Sequence, residues 1–225
     1  TYAKLPDNYH LLDPELESNQ IPEYIDFDLV LSQNKFGQFQ KAVELSSVLH
    51  LPLVSLEHTL PMPQWGEGML DQLRNMRGHV NLFISQYSIN AWGWESKNDT
   101  KVITHGIDTD LFCPKEGEKS DEILSVVNDW INRDWCCGFS IWQRIINNLP
   151  HKVVGDTPGL SKPAPSTEEL VSNYQNSRIF LNTSTISPVP TALMEAMSCG
   201  CAVVSTETCM IPEVIEHGVN GFITN

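Results

Sequence analysis

Short apolar runs alternate with amphipathic stretches along most of the chain. Asp28 to Ser32 is an apolar run bounded by polar residues, and Phe36, Phe39, Val43, Leu45 and Leu49 follow at roughly helical spacing, which predicts a strand and then a helix. Leu51 to Leu56 predicts a second strand, the loop Glu57 to Gly68 follows, and Met69 to Arg77 predicts a helix. Asn81 to Ser85 is a third buried run, with Ser85 placed to cap a helix through Trp92, and Lys101 to Thr104 is a fourth strand. His105 to Ser120 carries Gly, Asp, Pro and Lys with little apolar content and predicts a linker. The alternation then restarts: strands at Ile123 to Val127, Lys152 to Gly155, Arg178 to Leu181 and Ala202 to Ser205, and helices at Phe139 to Asn147, Thr167 to Gln175, Thr191 to Ser198 and Pro212 to Glu216. Ser166 with Glu169 three residues on predicts a capping box, and Gly200 stands where a helix ending at Cys199 requires a left-handed residue. Residues 1–25 show no period and predict an irregular lead-in. Strand-helix alternation implies α/β architecture with parallel sheets. The linker divides it into two doubly wound, Rossmann-like units, 1–107 and 108–225, with the natural ligand site in a cleft between them.

Composition narrows the function. The 225 residues carry 14 Lys and Arg against 28 Asp and Glu, a net charge of −14, which excludes a nucleic-acid partner because phosphate recognition runs on basic density. No apolar run approaches the ~20 residues of a membrane helix, and the opening residues lack the character of a signal peptide, so a cytoplasmic location is expected. The six cysteines show no CxxC spacing, which predicts free thiols rather than a zinc ribbon or a redox motif. The first residue is Thr, which implies a start that is processed, excised or missing.

The loop Thr183 to Thr191 follows a strand, opens a helix and is hydroxyl-rich, uncharged and pinned by Pro188 and Pro190. Such a loop either cradles a phosphate or sugar at the helix N-terminus or caps the helix. Trp130, Trp135 and Trp142 read as core. Asp108-Thr109-Asp110 is formally a metal-binding Asp-x-Asp, but it lies in the linker, where the first Asp caps a turn, so no metal is expected.

The segment Pro190 to Ser205, continued by Ile211 to Ile223, resembles the donor-site half of GT-B retaining glycosyltransferases of the GT4 type, the glycosyl transferase group 1 family. Lys101 to Phe112 is similar to that family's interdomain strand and linker, Asp28 to Asn34 to its "DVVHSHN", and Leu53 to His58 to its strand ending in a loop His, so the resemblance covers residues 26–225. It implies the GT-B fold, an acceptor-side domain over 1–107 that is shortened, and a donor domain over 108–225. The first strand and Gly-rich loop of the acceptor side belong upstream of residue 26, which implies a compact member or a fragment. The implied activity is metal-independent transfer of a sugar from a nucleotide-diphosphate sugar, with no cofactor, to a carbohydrate, lipid or protein acceptor, compatible with peripheral membrane contact. The family's helix Glu, which bonds ribose hydroxyls, corresponds to Glu195. The first Glu of its Glu-x7-Glu pair, which contacts the transferred sugar, is Ser187 here. Where the family places an Arg and a Lys on the diphosphate, this chain has Asn128 and Arg133, making Arg133 the phosphate candidate; its rival role is a surface ion pair with Asp134 or another acid. The helix start at Pro190 and Thr191 adds its dipole to the leaving diphosphate. His58 corresponds to the loop His near the donor sugar, with Glu57 placed to orient it or to face solvent, and Asp156 and Thr157 border the base pocket. Loss of the first Glu admits a second expectation: an inactive nucleotide-sugar-binding or scaffolding module.

Overall fold

The computed structural model describes residues 26–94, 99–187 and 190–224. The expected lead-in over residues 1–25, and Pro188 within the loop, lie outside the described residues. The chain divides into two compact units, Thr1–Thr104 and His105–Asn225.

Unit 1 runs β1 (Val30–Ser32), α1 (Phe39–Leu49), β2 (Leu53–Glu57), α2 (Glu67–Arg74), β3 (Val80–Phe83), α3 (Gln86–Ala91) and β4 (Thr100–Val102). Helix α1 starts three residues later than its apolar spacing suggests, because Gly37 adopts a left-handed φ of 82°. Ser85 caps α3 as expected, its hydroxyl accepting from Ser88 N. The strands are parallel in the order β1-β2-β3-β4. Each strand is added on the same side, so right-handed crossovers put the helices on one face. There Phe39 and Ala42 pack with Leu53, and Leu70, Leu73 and Ile89 gather with Phe83, Trp92 and Trp94. The same face carries a buried polar row in register across the sheet, Ser32, Ser55, Asn81 and Thr100. On the opposite face Leu31 and Val80 remain 44% and 37% exposed.

Unit 2 runs β5 (Ser120–Val126), α4 (Asp134–Cys137), α5 (Phe139–Ile146), β6 (His151–Val154), α6 (Thr167–Asn176), β7 (Ser177–Asn182), α7 (Thr191–Ser198), β8 (Ala202–Thr206), α8 (Ile211–Val214) and β9 (Phe222–Thr224). Its strands are parallel in the order β6-β5-β7-β8-β9, the doubly wound pattern in which the chain reverses direction once. Leu124, Val154, Phe180 and Val203 pack with Tyr174 of α6 and with Leu193 and Ala196 of α7 on one face. Leu181 packs with Trp130, Trp142 and Ile146 on the other. Trp130 and Trp142 are core residues as expected, whereas Trp135 is half exposed, because the four-residue α4 turns it outward. Helix α4 and strand β9 are too short to leave a period in the sequence. Gly200 has the expected left-handed φ, 75°.

Candidate functional site

Adjacent strands β5 and β7 send their following segments to opposite faces of the sheet, which opens a crevice beyond their carboxyl ends. A cavity of about 320 Å³ occupies that place. Its lining takes Val127 and Asn128 from the end of β5, Arg133 and Cys137 from the α4 turn, Asn182 and Ser184 from the end of β7, Ser187 from the loop, and Pro190, Thr191 and Glu195 from the start of α7. Five of the residues singled out in the sequence, Arg133, Ser187, Pro190, Thr191 and Glu195, therefore meet at one cavity.

The loop after β7 is held by its neighbours rather than by its own helix. Thr185 N and Ile186 N donate to Cys136 O at 2.9 and 3.1 Å, and Thr183 Oγ1 donates to Gly138 O at 2.9 Å. From the other side, Thr206 Oγ1 donates to Ser184 O, Thr208 Oγ1 to Thr185 O at 2.6 Å, and Ser187 N to Cys209 Sγ at 3.3 Å. Gly138 makes this docking feasible: its φ is 66°, and a Cβ there would stand 1.8 Å from Thr183 O. Several loop hydroxyls are thus engaged in structure, among them that of buried Ser184, which donates to Asn182 Oδ1 at 2.9 Å, while Ser187 and Thr191 remain at the cavity wall. No side chain caps α7; Pro190 is its N-cap, and Leu193 N and Met194 N donate to Pro190 O at 2.9 and 3.2 Å. Among the described residues Thr191 N and Ala192 N find no acceptor, and both residues line the cavity at the positive end of the helix dipole.

Two charged side chains line the cavity, Arg133 and Glu195. Among the described residues Arg133 forms no ion pair; its Nη1 reaches only Asn128 O, at 3.5 Å. Its neighbour Asp134 instead accepts from Ser140 Oγ and Ser140 N at 2.5 and 2.7 Å, bonds that hold its carboxyl below the ordinary range and anchor the start of α5. Glu195 is half-buried, and burial raises its pKa, opposed by the hydrogen bond that Tyr174 OH donates to Oε2 at 2.7 Å. Tyr174 is fully buried, and burial together with the adjacent Glu195 pushes its phenol far up, so it acts as a neutral donor. Burial pushes the Cys137 thiol up to about 12, which leaves no thiolate nucleophile there at neutral pH.

Asp156 and Thr157 do not line the cavity. Asp156 N donates to Asn128 Oδ1 at 2.8 Å and its carbonyl accepts from Asp129 N, while buried Thr157 Oγ1 accepts from Trp130 N at 3.1 Å. Both hold the β5 and β6 ends together. His58 belongs to unit 1, directly after β2, and is half-buried. Glu57 beside it does not face solvent: it is buried, and its carboxylate accepts from Thr59 Oγ1 and Thr59 N at 2.6 and 2.9 Å and from Lys35 N at 3.3 Å. Asp108 Oδ1 accepts from Asp110 N and Leu111 N at 3.1 and 3.2 Å, the turn cap expected of it. Among the described residues no group of three His, Cys, Asp or Glu is arranged to hold a metal ion. Sequence reasoning missed Tyr174, Asn182 and Gly138. Tyr174 and Asn182 carry no local signal, whereas Gly138 before the α5 period is a residue accepted at a helix N-cap.

The profile of the family described as Glycosyl transferases group 1 matches residues 162–225, the stretch that carries β7, α7 and Glu195. No curated protein sequence matches the chain. Among solved structures, the chain is similar to HepE of Anabaena in complex with UDP and glucose, at 20% identity and TM-score 0.69 over 88% of this chain and 64% of that one. It is also similar to sucrose-phosphate synthase from Thermosynechococcus elongatus, at 13% identity and TM-score 0.64, covering 81% and 58% of the two chains. A glycosyltransferase from Rickettsia africae matches at 12% identity and TM-score 0.60, over 88% and 62%. The fold is GT-B. This GT-B chain spans less than two thirds of the length of these proteins. Among its described residues, no helix is long and apolar enough to cross a membrane.

Proposed function

We propose that the chain is the nucleotide-sugar-handling part of a glycosyltransferase that moves a sugar from a nucleotide-diphosphate sugar to a carbohydrate, lipid or protein acceptor, without a metal and with retention of configuration. One observation carries this reading: the cavity at the β5/β7 crevice, where Arg133, Glu195 and the start of α7 converge. Arg133 and the start of α7 supply positive potential for a diphosphate, Glu195 accepts from ribose hydroxyls, and Ser187 faces the sugar. Departure of the sugar leaves negative charge on the diphosphate, and fixed donors aimed at that charge lower the barrier without reorganising. His58 is the candidate from unit 1 for a sugar hydroxyl. The profile match and the UDP-bound neighbour support this assignment.

Thermal denaturation in the presence of UDP, GDP, ADP and their sugars tests the binding half of the proposal. The expected result is a rise of several degrees with one nucleotide series, since ligand at 100 times its dissociation constant stabilises by about 2.7 kcal/mol; no shift with any of them rejects the reading. A second reading, an inactive binding module, draws on Ser187, which brings a short hydroxyl where a carboxylate is expected. Slow hydrolysis of the stabilising nucleotide sugar supports the transferase, and binding without turnover supports the module.

A further inference from the structure

Tyr174 lies in the core between α6 and the sheet, its ring against Phe112 and Phe180 with centroids 6.1 and 5.9 Å away. A phenylalanine would fill that space equally well. What the hydroxyl adds is one hydrogen bond, 2.7 Å to Glu195 Oε2, across 21 residues of sequence. Glu195 is the acidic side chain at the cavity, and its Oε1 has no protein donor among the described residues. A glutamate on a helix surface rotates freely, and fixing it in one rotamer before a ligand arrives removes an entropy cost from binding. Tyr174 cannot rotate in its packed site and cannot ionise at neutral pH, so it is a fixed donor. The other groups facing this pair are Cys199 and Cys201, whose thiols burial holds protonated, and the other charged residue lining the cavity is Arg133.

We propose that Tyr174 is a positioning residue: its hydroxyl clamps one oxygen of Glu195 so that the other is presented to the cavity as a preformed acceptor for a vicinal diol, which makes the pair the element that selects ribonucleotides. This rests on the nucleotide-sugar reading above. Oε1 and the remaining lone pair of Oε2 offer two acceptor positions to two adjacent hydroxyls, a geometry that a single hydroxyl or a deoxyribose leaves unfilled. Discrimination against a ligand that lacks the hydroxyls follows from leaving a half-buried carboxylate without partners.

Calorimetric titration of UDP and of its dideoxyribose analogue into the unmodified chain, Tyr174→Phe, Glu195→Gln and the double variant tests the proposal. Unmodified protein should prefer UDP to the analogue by at least about tenfold, as expected for hydrogen bonds to a charged acceptor. Tyr174→Phe should weaken UDP by about tenfold, leave the analogue within about twofold, and have no further effect in the Glu195→Gln background. A merely structural tyrosine would weaken both ligands alike and act independently of Glu195, and either result overturns the proposal. Equal binding of UDP and the analogue by the unmodified chain also overturns it while leaving the nucleotide reading intact. Where the thermal screen selects GDP or ADP, that nucleotide and its dideoxyribose analogue replace UDP in the same titrations, and absence of binding by UDP, GDP and ADP alike removes both.

Discussion

Both units are parallel sheets with helical crossovers, yet they differ in one topological choice. The described strands of unit 1 follow one another across the sheet without reversal, whereas those of unit 2 reverse once at β5. The reversal puts helices on both faces of unit 2, buries Leu124, Val203 and Leu181 on its two sides, and leaves the crevice that holds the cavity. Unit 1 instead carries its polar row under the helices and keeps Leu31 and Val80 half exposed on the other face. Each unit also withdraws a charge from solvent, wholly at Lys35 and half at Glu195, and the two differ in what the charge is left to do. Lys35 is 2% exposed, its Nζ donating to Met76 O at 2.5 Å and Ser55 Oγ at 3.3 Å and lying 4.7 Å from the Trp94 ring centre, and burial lowers its pKa to about 8. Glu195 shares one oxygen with Tyr174 and leaves the other to the cavity. Lys35 Nζ spends its donors inside unit 1, whereas Glu195 Oε1 has no protein donor among the described residues.

Gly138→Ala should have the largest effect, because the new Cβ meets Thr183 O and the left-handed φ strains any side chain. A loss of about 3 kcal/mol or more is expected for unit 2, with unit 1 unchanged, read from hydrogen exchange resolved by unit. Arg133→Ala should weaken UDP by roughly tenfold and uridine hardly at all, since its proposed contact is phosphate; calorimetry showing equal losses would assign Arg133 to the surface. The two buried charges should give opposite pH slopes. Lys35 releases its proton near pH 8 in the fold and near 10.5 when unfolded, so the unfolded chain holds more protons between these values and unit 1 gains stability as pH rises through them. Lys35→Met should abolish that slope in urea titrations. Glu195 has a folded pKa above its ordinary 4.5, so its contribution to unit 2 is full below 4.5 and is lost as pH rises through the raised value. Glu195→Gln should accordingly raise the stability of unit 2 at neutral pH by about 1 kcal/mol or less, even as it weakens nucleotide binding. A falling stability with retained UDP affinity would reverse the assignment of Glu195 from site to scaffold.

The sequence alone determined what depends on neighbours a few residues apart. Helix α7 follows from its spacing, Ser85 and Ser166 cap α3 and α6 because Ser offers an oxygen to a helix amide within one turn, and Gly200 ends α7 because its φ is left-handed. The family resemblance placed Glu195, Thr191 and Ser187 together because they share one loop and one helix, and Arg133 joined them through the order of strands. Tertiary structure alone decided how the polar groups divide between wall and scaffold. Whether the hydroxyls of Thr183 and Thr185 face a ligand depends on Trp135, Cys137 and Gly138, some 45 to 50 residues away, to whose carbonyls they donate. Asp156 and Thr157, at a strand end like the true lining residues, are drawn instead to Asn128, Asp129 and Trp130. Tyr174 reaches Glu195 only because α6 and α7 pack side by side on the same face of the sheet. Hydrogen-bond partners are chosen by distance in space and by the requirement that buried polar groups be satisfied, and neither leaves a period in the chain.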